Sequence, residues 1–484
     1  MRSGWHTIVS YLALIVVSFN SCDKAKPVEE PSSNRDNLPN VIFINVDDWG
    51  WADNETVNPQ WFKTPNINSL RKESLVFENA YAAAANCAPS RACLLSGMNT
   101  PRHGVYTVSP SARGKAQTRR IVPIKNTNHL RDSVILIPEL FKQKGYVTAN
   151  FGKWHVSPDP ATQGIEYNVG GSDRGNPGKD GYFSPHKISN ITDGPEGEYL
   201  TDRLTNEAID FIENNQDTNF FIYLPYYAVH SPFLPKPALY EKDYKDKEVY
   251  LHDSQRKYAA MVEGLDQNIG RLLAAIDRSN LASSTMIVLT SDNGGIAAVS
   301  PQTPARAGKG SYFQGGLKVP LMIRWKGVSE PRVVNIPTGN LDFFPTFREM
   351  LDVEVDQPMD GQSLLNIIKG GDGEALKDRA LYWHFPIYVQ AYQGEQDEAR
   401  DPLFRTRPGS LIQKNGWVLH HYFEENDVLL YDLSIGEGEV QELSAEFPQK
   451  KKELYEELQR WRTSINASIP TKINKHFDPT FDSK

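Results

Sequence analysis

Five short apolar runs rich in β-branched and aromatic residues, at 41–46, 146–151, 220–224, 286–290 and 319–325, constrain this chain more than any other feature. Strands of that length and composition are covered on both faces, because a solvated face would show alternating polar residues. The segments between them carry the covering helices. Val262, Leu265, Ile269, Leu272, Leu273 and Ile276 recur at helical spacing across 254–278, and Ala208, Ile209, Phe211 and Ile212 do so near Thr205. The expected class is therefore α/β, a large sheet sandwiched by helices. Beyond about residue 376 the pattern breaks into short segments, 380–385 and 416–422, followed by a helix at 448–462, which reads as a smaller C-terminal α+β subdomain.

At the N-terminus Arg2 precedes a mostly apolar run, 7–19, too short to span a bilayer comfortably and ending at Ser21-Cys22. It reads as an export signal. Phe19-Asn20-Ser21-Cys22 resembles a loose bacterial lipobox, in which Cys22 becomes the lipidated N-terminus; the alternative is a plain secretory signal. Both readings export the protein, to the periplasm or, with a membrane lipid anchor, to the outer membrane or cell surface. The polar, proline-bearing stretch that follows reads as a tether. The expected organisation is thus a signal at 1–21, a tether at 22–39, a catalytic domain at 40–375 and the C-terminal subdomain at 376–484. With 52 basic and 60 acidic side chains the formal charge is −8, unlike a nucleic-acid binder. The three cysteines, Cys22, Cys87 and Cys93, give no disulfide framework, and Cys93 is expected as a packed thiol.

The segment from Cys87 to Gly97, CAPSRACLLSG, carries the most chemistry. Pro89 suits the first turn of a helix, Arg91 falls one turn after Cys87 on the same face, and Leu94 and Leu95 supply core contact. Cys87 then sits near a helix N-terminus beside a guanidinium, where peptide N–H groups and positive charge favour an anion. For a Cys-x-Pro by itself, a buried cysteine capping an ordinary helix is the alternative. Two strand ends add acids: the run 41–46 leads into Asp47-Asp48 and the run 286–290 into Asp292-Asn293. Hard oxygen donors without thiolate or imidazole suit Ca²⁺ or Mg²⁺ rather than zinc, with calcium favoured outside the cytoplasm.

The motif C-x-P-S-R-x-x-x-L-[ST]-G resembles the signature of the type I, formylglycine-dependent sulfatases of the alkaline phosphatase superfamily, bacterial polysaccharide sulfatases among them. Further matches from about Asn40 to Leu443 extend the likeness over nearly all of the expected mature chain. The resemblance implies an alkaline phosphatase-like fold with a large mixed sheet and a site at the C-terminal ends of its strands. It implies that a sulfatase-maturating enzyme oxidises Cys87 to formylglycine (3-oxoalanine), whose hydrate supplies the nucleophilic oxygen, with Arg91 holding its hydroxyl. It also implies one calcium ion held by Asp47, Asp48, Asp292, Asn293 and the modified Cys87. Gly152-Lys153-Trp154-His155 resembles the family's G-K-W-H motif. Sulfate monoester hydrolysis needs positive charge around the equatorial oxygens and a proton for the departing oxygen. Lys153 and Lys309 are the expected cations. His230 is the leading candidate for leaving-group protonation, with Lys309 assisting, and His155 is expected to orient the hydrate and act as base. Val229 and Gln314 depart from the family pattern, in which proline and glutamate are common at those places.

For the substrate, His384 is expected to line the mouth of the site from the smaller subdomain, with Arg405, Arg407, His420 and His421 as further candidates. The loop 109–120, with Arg113, Lys115, Arg119 and Arg120, is basic within an acidic protein; it reads either as a contact for a polyanionic chain or as a solvated surface. The expected function is hydrolysis of sulfate esters on oligosaccharides from sulfated polysaccharides, algal such as ulvan or carrageenan, or glycosaminoglycan. The alternatives are a superfamily phosphoesterase, which would generally use Thr or Ser with two metals, and a calcium-dependent sulfated-glycan-binding lipoprotein in which Cys87 stays a thiol.

Overall fold

All five apolar runs form strands, and they join three shorter segments in one eight-stranded sheet. In chain order these are β1 (Asn40–Val46), β2 (Leu75–Phe77), β3 (Val147–Phe151), β4 (Tyr167–Val169), β5 (Phe220–Leu224), β6 (Thr285–Ser291), β7 (Leu321–Trp325) and β8 (Arg332–Val334). Their spatial order is β4-β3-β5-β1-β6-β7-β2-β8. Strand β1 lies inside the sheet, parallel to both neighbours, with Val41 opposite Phe221 on β5 and Met286 on β6. Strand β7 runs antiparallel to β6 and β2, so the sheet is mixed. The computed structural model describes residue 1 and residues 38–392 and 399–481; Cys22, the expected signal and the tether up to residue 37 lie outside the described residues.

Both faces of the sheet are covered, which is why β1 is mostly apolar, with the buried Asn45 side chain donating to the Tyr223 hydroxyl. Its alternation sends Val41 and Phe43 into one apolar layer and Ile42, Ile44 and Val46 into the other. Helix α1 (Cys87–Ser96) and the helix Phe343–Leu351 pack on the first face; α2 (Leu200–Asn214) and α3 (Asp253–Arg278) pack on the second. All ten residues of α1 are buried, so this helix is part of the core rather than a surface element.

The C-terminal segments form a second, four-stranded antiparallel sheet: β9 (Leu381–Phe385), β10 (Gly409–Lys414), β11 (Trp417–Tyr422) and β12 (Asp427–Asp432). Helix α4 (Pro448–Ser464) covers one face, setting Leu454 and Leu458 against Ile412, Leu419 and Leu430. The other face carries Phe385, whose ring stacks on Tyr312 with centroids 3.8 Å apart, tying this sheet to the loop that bears Lys309. Among the described residues no helix is long and apolar enough to cross a membrane.

Candidate active site

Strands β3, β5, β1 and β6 are adjacent and parallel, so their C-terminal ends open on one edge, where ligands of α/β sheets collect. They deliver Lys153 and His155, His230, Asp47 and Asp48, and Asp292 and Asn293. Backbone hydrogen bonds tie these ends together: Asp47 N donates to Ala228 O (3.0 Å), Val229 N to Asp47 O (2.8 Å) and Asp292 N to Val46 O (3.1 Å). Val229 therefore uses an N–H that a proline would lack. Gly152 turns at φ 128, and a Cβ there would run into the Pro225 carbonyl, which instead accepts from Lys153 N at 2.7 Å.

Helix α1 begins at Cys87, after an extended Asn86, and ends at Gly97 in the left-handed region (φ 69), whose N–H donates to Cys93 O. The Cys87 Sγ lies 3.9 Å from Asp48 Oδ1. One turn on, the fully buried Arg91 donates from Nε to Asp292 Oδ2 and from a terminal nitrogen to Lys153 O, both at 2.8 Å; its other terminal nitrogen is 3.9 Å from Asp47 Oδ1. The candidate ligand atoms of Asp47, Asp48, Cys87 and Asp292 all lie within 4.8 Å of one another. Lys153 Nζ is 2.7 Å from Asp47 Oδ2, and Lys309 Nζ is 2.7 Å from each Asp48 oxygen. His230 Nδ1 donates to Ser231 O (2.6 Å), because a carbonyl only accepts, and leaves Nε2 facing Asp48 Oδ2 at 3.7 Å.

This packing sets the charges. Burial, then Asp292 and Asp48, push Asp47 up to about 7 against Lys153 and Arg91. Burial also pushes on Asp48, but Lys309, His230 and Lys153 outweigh it and hold that carboxyl below its ordinary range. Burial raises the Cys87 thiol to about 12, with Lys153 and Lys309 opposing, so as a thiol it is a poor nucleophile at neutral pH. His155, half-buried at φ 62 with Nδ1 unpartnered, is held well below its usual value by burial and by Lys153, Arg91 and Lys309. Asp47 Oδ1 and Asn293 Oδ1 are also buried without a hydrogen-bond partner. Three carboxylates with two such orphaned oxygens fit a hard cation.

The sulfatase family model matches residues 39–353, and the model for the C-terminal part of N-sulphoglucosamine sulphohydrolase matches residues 308–464. The chain belongs to the sulfatase family. A sulfatase of Formosa agariphila is 30% identical over 514 residues, covering 90% of either chain. The Homo sapiens N-acetylgalactosamine-6-sulfatase is 29% identical over 378 residues, covering 72% of this chain and 68% of the relative. The crystal structure of Ps i-CgsB aligns with a TM-score of 0.71 at 25% identity, over 90% of this chain and 95% of that one. This sulfatase is a sulfuric ester hydrolase with an alkaline phosphatase-like fold.

The expectation for His384 is overturned. Its Nε2–H donates to Ser468 O (3.0 Å) and its Nδ1 accepts from the Ser410 hydroxyl (2.8 Å), so both ring nitrogens are engaged inside the smaller subdomain of this sulfatase rather than at the mouth. His420 pairs with Glu439, His421 lies between Asn426 and Arg462, and Arg407 is clamped by Asp401 and Glu424. Arg405 alone of that group reaches the site, donating to Lys309 O at 2.8 Å. Cys93 is a packed thiol, 3.4 Å from His103 Nε2. Two supports carry no sequence signal. Tyr258 of α3 donates to Asp48 O (3.1 Å) and touches the Asp53 carboxylate, which accepts from Gly50 N (2.7 Å) and the Ser300 hydroxyl; the Tyr182 hydroxyl lies 2.7 Å from Tyr227 O and 2.8 Å from His230 O.

Proposed function

We propose that this sulfatase removes sulfate from oligosaccharides of sulfated polysaccharides, using a formylglycine formed from Cys87 and one calcium ion. The observation that carries this reading is the seat of Cys87, in the first turn of a buried helix, clustered with Asp47, Asp48 and Asp292 and ringed by Arg91, Lys153 and Lys309. An aldehyde hydrate at Cys87 would supply the nucleophilic oxygen that the buried thiol does not. Asp47, Asp48, Asp292 and Asn293 would hold the calcium, whose chemistry is to polarise a sulfate oxygen.

The remaining work falls to side chains already in place. Burial works against the Arg91 charge, but Asp292, Tyr223 and Asp47 outweigh it and keep the guanidinium protonated, fixed to hold the hydroxyl at Cys87. Lys153 and Lys309 present ammonium groups to the sulfate oxygens. Burial and then Lys309 lower His230 to about 3, with Asp48 pulling the other way. A sulfate ester drawn against Lys309 adds negative charge beside that ring and raises its proton affinity, so that Nε2 protonates the leaving oxygen. Lys309, held protonated by Asp48 against its burial, is the assisting donor. His155, neutral and with a free Nδ1, takes the proton from the hydroxyl at Cys87.

A carbohydrate substrate is supported by the names of the relatives: one is an N-acetylgalactosamine-6-sulfatase, and Ps i-CgsB has been crystallised in complex with k-i-k-neocarrahexaose. Glycosaminoglycan, carrageenan and ulvan fragments form the panel to assay. With protein matured in its native host by a sulfatase-maturating enzyme, the Cys87 peptide should weigh about 18 Da less than the thiol form, and the panel should release inorganic sulfate. A persistent thiol, or phosphate esters cleaved faster than sulfate esters, overturns the reading. We propose export as well, with Cys22 lipidated; Cys22→Ala should then move the protein from the membrane to the soluble fraction.

A further inference from the structure

The basic loop 109–120 is not a free surface element. Tyr388 N donates to Ser111 O (2.9 Å), Ala112 forms a bridge with Tyr388, and Gly114 packs on the Phe404 ring, so the loop lies along the hairpin formed by Val389–Gln390 and Phe404–Thr406. That hairpin carries Arg405, which is buried and donates from Nε to Gln390 O (3.0 Å) and from a terminal nitrogen to Lys309 O (2.8 Å). Its guanidinium lies over the Tyr392 ring, 3.9 Å from the centroid. Arg113 folds back so that Nε and one terminal nitrogen donate to Ser109 O, at 3.2 and 2.7 Å. Among the described residues neither guanidinium is paired with a carboxylate, whereas the nearby Arg400 and Arg407 both are. The contacts of Ser111 and Ala112 with Tyr388 set the loop beside the strand that leads to Tyr392, over which Arg405 lies, and in keeping with that placement burial and then the like charge of Arg405 depress the proton affinity of Arg113.

We infer that Arg113 and Arg405, set against Tyr392, form a subsite beside the sulfur-binding groups that takes a second anionic substituent, a carboxylate or further sulfate, on the sugar next to the one being desulfated. The inference rests on the proposed carbohydrate sulfatase activity and names its substrate class as multiply anionic oligosaccharides. Two guanidiniums held near each other, with no carboxylate paired to either among the described residues, repel, and an anion is the partner that relieves the repulsion, since planar guanidinium forks match carboxylate and sulfate oxygens. The hydrogen bond from Arg405 to the Lys309 backbone fixes the distance between this pair and the ammonium at Asp48, so both anionic groups of a substrate would be read by one rigid frame. Arg405 thereby also positions Lys309; the hydrogen bonds of Arg113 among the described residues stay within its own loop.

The test uses host-matured enzyme and the ratio of kcat/KM for a disulfated disaccharide to that for 4-nitrophenyl sulfate, which has no second anion. Arg113→Gln should lower this ratio about tenfold or more, the usual worth of a hydrogen bond to a charged group. Arg113→Lys, which keeps the charge but not the planar fork, should restore part of the ratio, and sodium chloride should raise KM for the disulfated substrate more steeply in the wild type than in Arg113→Gln. A ratio unchanged within about twofold in Arg113→Gln, or a fall that Arg113→Lys does not repair, overturns the subsite. If the wild type releases sulfate from 4-nitrophenyl sulfate but shows no preference for disulfated sugars, the subsite fails and the sulfatase reading stands. No sulfate release from any substrate overturns the proposed function and the subsite with it.

Discussion

Replacing Arg91 with methionine keeps much of the side-chain volume and removes the guanidinium from a fully buried site. Asp292 Oδ2 loses its 2.8 Å partner and Lys153 O loses another, while both groups remain sealed from water. Breaking a buried pair by deleting one member costs about 3–5 kcal/mol, because the surviving charge is left uncompensated. The orphaned carbonyl adds about 1 kcal/mol. Urea denaturation in EDTA at neutral pH should show this loss for Arg91→Met, and the same measurement on Asp292→Asn and on the double variant completes a cycle. If the pair is one unit, the double variant falls short of the sum of the singles by about 2 kcal/mol or more. Saturating calcium should shrink the Arg91→Met deficit, since a cation among the carboxylates takes over part of the lost compensation. Additivity within about 0.5 kcal/mol would refute the idea that Arg91 neutralises these acids.

His230→Gln should reduce kcat on sugar sulfates by about 10²–10⁴-fold, the usual range for a lost general acid, and affect 4-nitrophenyl sulfate much less, because nitrophenolate leaves without a proton; equal losses on both would remove His230 from that role. Calcium at about 100 times its dissociation constant should stabilise the wild type by about 2.7 kcal/mol, read as a higher thermal midpoint than in EDTA, and identical midpoints would contradict the cation site. Burial lowers His384 to about 3 from an ordinary 6.5, so the native state holds it neutral while the unfolded chain protonates it. Its contribution is complete above pH 6.5 and is lost as the pH falls towards about 3, at about 1.4 kcal/mol per pH unit. His384→Asn should flatten the stability profile across that window, and an unaltered slope would show that His384 is not the group titrating.

The long strands were legible because both faces of each are buried, which leaves mostly apolar runs, and Cys87 and Arg91 were legible as a pair because helical spacing alone brings them together. The three-residue strands β2, β4 and β8 were not, since so few residues carry no period; their place depends on neighbours far away in sequence. Tyr258 supports Asp48 from 210 positions away, a distance over which no local pattern speaks. His384 misled for another reason. A histidine between aromatic residues reads alike whether its ring nitrogens face a substrate or, as here, Ser410 and Ser468. Arg405 and Arg407 are likewise alike in sequence, yet the fold gives one to Lys309 O and the other to Asp401 and Glu424.

Helix α1 has a consequence for biogenesis. Cys87 is 2% exposed and every residue of its helix is enclosed, so the proposed maturating enzyme, which would have to grip the chain around this thiol, would find that segment closed once the sheet has formed. If Cys87 is converted to formylglycine as proposed, the oxidation belongs before folding, on an extended chain, and a molecule that folds with its sulfur intact stays a thiol. On that proposal the yield of active protein would be set by a race between the oxidising catalyst and the chain's own compaction.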